Sequence, residues 1–210
     1  MNTDRIFLVL VPLLRPLVDA MNTERKNQYQ AAPLVPGSLV FLGDSITQRG
    51  FWDAWFPTLP TLNRGIDGDT TEDILNRLDE AILSPVAVNL LVGTNDLHGA
   101  RRLRNLDGIA SRTAQIIRRI QAVAPEADIF LNSVMPRTPY LAGPIRSLNE
   151  RYKKIAATTG VTYIDLWPAL ANPEGGLRKE LTSDNLHLLA AGYRAWTEVL
   201  RPHLNRFATR

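Results

Sequence analysis

The segment Ser38-Leu39-Val40-Phe41-Leu42-Gly43-Asp44-Ser45-Ile46-Thr47-Gln48 begins as an apolar, β-rich run with no polar alternation and breaks at a glycine. A strand covered by helices on both faces of a parallel sheet has this pattern. Ser45 follows the break at once. A serine so placed sits where a central strand gives way to a helix, at the carboxyl edge of the sheet, where open α/β sheets put their ligands. Ser45 is therefore the candidate nucleophile, and the rest of the chain is searched for a base and for hydrogen-bond donors that converge on it.

Working outward, four more runs repeat the theme. Thr61 to Arg64 breaks into the loop Gly65-Ile66-Asp67-Gly68-Asp69, and Val86 to Val92 breaks into Gly93-Thr94-Asn95-Asp96. Ile129 to Val134 and Val161 to Ile164 supply the last two strands. Helical faces alternate with them: Ile74, Leu75, Leu78 and Ile82; then Leu106, Ile109, Ile116 and Ile120; then Ile145, Leu148, Tyr152 and Ile155. Thr70 and Asp73 have capping-box spacing, and Gly160 stands just beyond a helix end. A final helix carries Tyr193, Trp196, Val199 and Leu200 on its apolar side. Alternating strands and helices predict βαβ units and a three-layer α/β/α domain. The expected sheet is five-stranded, parallel and flavodoxin-like, in the order 2-1-3-4-5, with right-handed crossovers. That order brings the ends of strands one, two and three, and so Ser45, Gly65 and Asn95, to one rim.

A chain of 210 residues suffices for one compact domain with a full core. Residues 31–210 are expected to form that domain, and residues 1–30 an N-terminal extension or helix. The absence of cysteine excludes disulfides, a thiol nucleophile and cysteine-ligated metals. A net charge of +3 without a basic block argues against nucleic acid as a partner. Arg101, Arg102 and Arg104 with Arg118 and Arg119 read as a solvated helix face. Ile6 to Leu14 is too short for the roughly 20 residues that span a bilayer, so no stable membrane insertion is expected. Residues 1–20 have the length of a signal peptide and end in Val18-x-Ala20, but Asp4 cancels Arg5 in the would-be charged region. Met1-Asn2-Thr3-Asp4-Arg5 is nearly repeated as Met21-Asn22-Thr23-Glu24-Arg25, so Met21 is an alternative start. A packing extension and a cytoplasmic protein are expected, with secretion following only if residues 1–20 act as a leader. Oligomeric state is left open.

A serine hydroxyl needs a base to take its proton. The chain has three histidines. His203 lies at the end of the last helix, where a cation suits the dipole. His98 sits in the loop after strand three, with Asp96 its nearest carboxylate in sequence. His187 has Asp184 three residues before it. That spacing lets the carboxylate hold one ring nitrogen and leave the other for Ser45, which makes Ser45, His187 and Asp184 the candidate catalytic set. The backbone amides of Ser45 and Gly65 and the Asn95 side chain are the candidate oxyanion donors. Singly each has a structural account: a helix N-cap, a turn acceptor, a turn glycine, a turn asparagine. Phe51, Trp52, Trp55 and Phe56, so close to the candidate nucleophile, invite an acyl-binding role, but most of them are expected to pack the core. His98, within Leu97 to Arg104, and Tyr140, within Pro136 to Pro144, are expected to contact substrate.

With these residues in place the chain resembles the SGNH hydrolases, also called the GDSL esterase/lipase family. Gly43-Asp44-Ser45 matches the nucleophile block. Asn63-Arg64-Gly65-Ile66-x-Gly68-Asp69-Thr70-Thr71 matches the second block, Gly93-Thr94-Asn95-Asp96 the third, and Asp184-x-x-His187 the last. The blocks come in family order and span residues 38 to about 200. The second also looks like that of the platelet-activating-factor acetylhydrolase-like branch. The resemblance implies the SGNH-hydrolase fold and a cofactor-free, metal-independent serine esterase of acetylesterase, lysophospholipase or short-chain type, acting on a small-molecule or short-acyl ester. It also implies that Ser45, Gly65 and Asn95 hold the oxyanion. The α/β-hydrolase elbow G-x-S-x-G is not met, since residue 47 is threonine. Two rival readings stand beside it. A metal-dependent phosphoesterase would use Asp44, Asp96, Asp184 and His187 as ligands. An idle flavodoxin-like binding module would cradle a phosphate at Asp44 to Gln48.

Overall fold

A computed structural model describes residues 16, 20, 22–29, 31, 35–98 and 105–207. The possible leader in residues 1–20, apart from positions 16 and 20, and Arg101, Arg102 and Arg104 lie outside the described residues.

Five strands form a single sheet: β1 (Leu39–Gly43), β2 (Thr61–Gly65), β3 (Ala87–Leu91), β4 (Asp128–Asn132) and β5 (Thr162–Ile164). All pair in parallel, in the order β2-β1-β3-β4-β5. The expected order 2-1-3-4-5, with β1 central, is the one observed. Helix α1 covers residues 22–29. It is followed by α2 (Ser45–Gln48), α3 (Trp52–Trp55), α4 (Thr71–Ala81), α5 (Leu106–Val123), α6 (Ala142–Thr159), α7 (Trp167–Leu170) and α8 (Ala190–Leu204). The Thr70–Asp73 capping box opens α4, and Gly160 closes α6 in the left-handed conformation, φ 75°. Among the described residues no helix is long and apolar enough to cross a membrane.

The sheet separates two apolar layers, because successive side chains of a strand point to opposite faces. Val40, Leu42, Val88 and Leu90 pack with Ile74 and Leu78 of α4, Ile116 and Ile120 of α5, and Tyr152 of α6. Leu39, Phe41, Leu91 and Phe130 pack on the other side with Trp52 of α3 and Trp196 of α8. Phe41 stacks on Trp52 with ring centroids 3.9 Å apart, and Trp52 meets Trp196 edge-on at 4.8 Å. Of the aromatics after Ser45, Trp52 and Phe56 fill the core, whereas Phe51 is 75% exposed. Phe51 precedes the first turn of α3, whose buried side is already occupied by Trp52.

This packing fixes the short helix that carries Ser45. Trp52 donates its indole N–H to the Thr47 carbonyl at 3.0 Å, and the Tyr193 hydroxyl of α8 donates to the Ile46 carbonyl at 2.7 Å. A four-residue helix has little stability of its own, so its placement comes from these tertiary bonds.

Candidate active site

Ser45 is the first residue of α2, and the N-cap is Asp44, whose Oδ1 accepts the Ile46 amide at 2.9 Å. The cap serves Ile46 and leaves the Ser45 N–H among the first-turn donors that have no intrahelical partner. Its hydroxyl is 3.0 Å from His187 Nε2. On the other side of the ring, His187 Nδ1 is 2.6 Å from Asp184 Oδ2. Asp184 Oδ1 accepts the backbone amides of Leu186 at 3.0 Å and His187 at 2.7 Å. The carboxylate thus organises its own turn and the imidazole together. Burial alone would push the Asp184 carboxyl up, but the hydrogen bonds from His187 and from the Leu186 amide outweigh it and hold it below its ordinary value. Ser45 and His187, 142 residues apart, meet because β1 is central and the turn before α8 returns to the same sheet edge.

Asn95 opens a 3-10 turn after β3 and is 6% exposed. One of its Nδ2 hydrogens goes to the Asp69 carbonyl at 2.9 Å, and the amide carries a second. Gly65 departs from expectation. Its N–H is donated to Asn63 Oδ1 at 3.0 Å, within its own strand end, rather than presented to the rim. Asn63 folds back because its Nδ2 is tied to the carbonyls of Gln48 at 2.9 Å and Gly50 at 3.0 Å. What Gly65 contributes is space: a Cβ there would collide with the backbone of Gln48, so only glycine lets β2 end against α2. Gly68 follows three residues later in the same loop. It holds the turn with φ 78° and immediately precedes the Asp69 whose carbonyl accepts the Asn95 amide.

Several residues that organise the rim were not singled out by sequence. Arg77 of α4, 7% exposed, donates Nε to Asp69 Oδ2 at 2.6 Å and Nη2 to the carbonyls of Gly43 at 3.1 Å and Arg64 at 2.9 Å. It ties the ends of β1 and β2 to the loop that holds Asn95. Burial raises Asp69 to about 6 against the pull of Arg77. Arg137, 6% exposed after β4, places Nη1 3.4 Å from the Thr94 carbonyl and 3.2 Å from His98 Nε2. A helical-face arginine and a loop arginine look like surface residues in a sequence. The legible signal was Asn63, a poor strand former inside a strand.

The two expected substrate contacts differ in setting. His98 is 6% exposed and turned to Arg137, because the 3-10 turn Asn95–Leu97 curls it inward. Tyr140 is 62% exposed on the turn Pro139–Leu141. His203 lies in the last turn of α8 with its ring 6.1 Å from Phe130. Of the four ligands of the phosphoesterase reading, Asp96 accepts from the Thr71 amide and hydroxyl and from Arg112, while Asp184 and His187 are bonded to each other. Among the described residues no group of three or more His, Cys, Asp or Glu is placed to hold a metal ion.

Asp44 is fully buried, and its Oδ2 has no hydrogen-bond partner. Burial pushes it up to about 7; Asp69 and Asp67 push the same way, while the Ile46 amide and Arg137 oppose. A carboxyl raised in the folded state binds its proton more tightly there than in the unfolded chain. Stability is therefore greatest below its unfolded value and is lost as pH rises toward 7. Asn caps helices as well as Asp. Asp44→Asn is expected to leave the melting temperature unchanged near pH 4 and to raise it above the wild type at pH 8. A pair of thermal melts across that range checks it, and parallel curves would remove Asp44 as the source.

The comparisons with known proteins agree with this architecture. The five-stranded sheet in the order 2-1-3-4-5 and the helices on its two sides are those of the SGNH hydrolase fold. The chain belongs to the GDSL-like lipase/acylhydrolase family, whose description fits residues 41–195, and it is a hydrolase of that family. It is 30% identical over 183 residues to the platelet-activating factor acetylhydrolase IB subunit alpha1 of Bos taurus, covering 81% of this chain and 76% of that one. A solved chain from Streptococcus pneumonia, provisionally described as a platelet activating factor, superposes with a TM-score of 0.82 at 26% identity, covering 93% of this chain and 98% of that one. The acetyl xylan esterase AlAXEase shares the fold, with a TM-score of 0.68 at 24% identity over 80% of this chain and 99% of that one.

Proposed function

We propose that the protein is a serine esterase that hydrolyses acetyl or comparably short acyl esters. The observation that carries this reading is the unbroken chain from Ser45 Oγ to His187 Nε2 at 3.0 Å and from His187 Nδ1 to Asp184 Oδ2 at 2.6 Å. Ser45 Oγ attacks the ester carbonyl while His187 Nε2 takes its proton, and Asp184 stabilises the imidazolium that forms. The carbonyl oxygen, now an oxyanion, receives hydrogen bonds from the Ser45 amide, the second Nδ2 hydrogen of Asn95 and the amide of Gly68. Gly68 takes the role expected of Gly65, whose amide is engaged by Asn63. His187 then protonates the leaving alcohol. Water, deprotonated by the same nitrogen, attacks the acyl-enzyme and releases the acid.

The preference for short acyl groups is supported by a relative named as a platelet-activating factor acetylhydrolase and by a neighbour in fold named as an acetyl xylan esterase. Hydrolysis of p-nitrophenyl acetate, butyrate and octanoate in the presence of EDTA tests the reading: turnover is expected to survive the chelator and to fall with chain length. Turnover abolished by EDTA and restored by a divalent metal would overturn it. Asn95→Ala is expected to lower kcat on the acetate about a hundredfold, the usual cost of one oxyanion donor. A near-wild-type kcat would remove Asn95 from the site.

A further inference from the structure

We propose that Asn22, on helix α1, is a positioning residue for the oxyanion site and acts through the Asp67–Gly68 peptide; the proposal rests on the serine-esterase reading above. Helix α1 precedes the sheet and contributes nothing to the Ser45–His187–Asp184 chain. Yet Asn22 is 6% exposed and donates its Nδ2 to the Asp67 carbonyl at 2.5 Å. Two turns later, on the same face, the Tyr29 hydroxyl donates to the Gly65 carbonyl. That hydroxyl itself accepts from Arg25 Nε at 2.9 Å. The guanidinium groups of Arg25, at 4.6 Å, and Arg64, at 4.8 Å, lie over the Tyr29 ring. One helix therefore grips two carbonyls of the same turn, Gly65 and Asp67.

The geometry of the peptide group gives this grip a catalytic consequence. A peptide is planar and trans, so its C=O and N–H point in opposite directions. Asp67 C=O and Gly68 N–H belong to one peptide. A donor fixed on the carbonyl therefore sets the direction in which the Gly68 N–H points. It also polarises the unit, which strengthens the N–H as a donor. The rest of the turn is held to the same end: Asp67 N–H is bound to Gln48 Oε1 at 2.9 Å, and Asp69 N–H to the Ile66 carbonyl at 3.2 Å. Gly68, at φ 78°, is the residue in this turn with the most conformational freedom to lose. An oxyanion donor is effective when it needs no reorganisation at the moment of reaction. Asn22 supplies that preorganisation from outside the sheet.

The test compares Asn22→Asp with wild type. The aspartate has the same shape but has no N–H to give and turns an acceptor toward the Asp67 carbonyl. Its kcat for p-nitrophenyl acetate is expected to fall about tenfold, with KM changed by less than about twofold. The affinity for phenylboronic acid, which forms a tetrahedral adduct on a reactive serine, is expected to weaken by the same factor. Tyr29→Phe keeps the ring that both arginines cover and removes only the hydroxyl; a smaller loss of the same kind is expected. It carries the comparison if the aspartate variant does not fold. Unchanged kcat in both variants, or a lowered kcat with unchanged boronate affinity, would overturn the proposal while Ser45→Ala remained inactive. Ester turnover surviving in Ser45→Ala would instead overturn the esterase reading on which it stands.

Discussion

Ser45→Ala is expected to lower kcat for p-nitrophenyl acetate by about 10⁴-fold or more, the scale on which loss of an activated nucleophile is measured in hydrolases of this type. The side chain is 5% exposed and its hydroxyl meets His187 rather than the backbone, so alanine removes a reacting atom and little packing. The fold should survive, with a melting temperature close to that of the wild type. His187→Ala and Asp184→Asn should not add to the loss when combined with Ser45→Ala, because residues that act as one unit are strongly non-additive. A rate constant for the variant within tenfold of the wild type would sink the assignment of Ser45. Stoichiometric labelling by an organophosphate, present in the wild type and absent in the variant, provides an independent check on the same atom.

Arg77→Met should be the most damaging substitution away from the reacting atoms. The guanidinium is buried, and it satisfies Asp69, itself 3% exposed, together with two backbone carbonyls. Removing one partner of a buried pair leaves an uncompensated charge and typically costs about 3–5 kcal/mol. For a chain of this size that corresponds to a drop of roughly 10 °C in melting temperature. The loss should ease at low pH. Asp69 already binds its proton at about 6 in the folded protein. Without Arg77 it would do so at higher pH still, and protonation removes the orphaned charge. A second consequence is functional, because Asp69 presents the carbonyl that holds Asn95. Thermal melts at pH 5 and pH 8, paired with kcat at each pH, test both; a melting temperature unchanged at pH 8 would show that the pair contributes nothing to stability.

Most of the architecture was legible because the periodicities are strong. The apolar runs at residues 39–43, 87–91 and 129–132 have the composition of strands buried on both faces, and the structure buries them fully. The Thr70–Asp73 cap and the Gly160 stop are local chemistry and form without help from distant parts of the chain. Asp184 and His187 are three residues apart, so their contact too is largely a local matter. That Ser45 reaches His187 follows from topology, and handed crossovers left few strand orders from which the flavodoxin-like one was chosen.

What the sequence by itself determined was the set of elements, their order and the residue types gathered at one edge of the sheet, because each depends on periodicity, capping and turn chemistry within a few residues. The tertiary structure alone decided which side chains and carbonyls the groups at that edge meet. Gly65 and Gly68 look equivalent in the string Gly65-Ile66-Asp67-Gly68, yet the first gives its N–H to Asn63 and the second sits beside the carbonyl that holds Asn95. His98 and Arg137 were unreadable in the same way: a histidine in a loop looks solvent-facing until a buried arginine from another strand end turns it inward. Asn22 and Arg77 act across 45 and 34 residues, on backbone carbonyls that a sequence does not distinguish. A hydrogen bond to a distant carbonyl leaves no local pattern, since every residue carries the same acceptor, and only the packed chain selects which one is met.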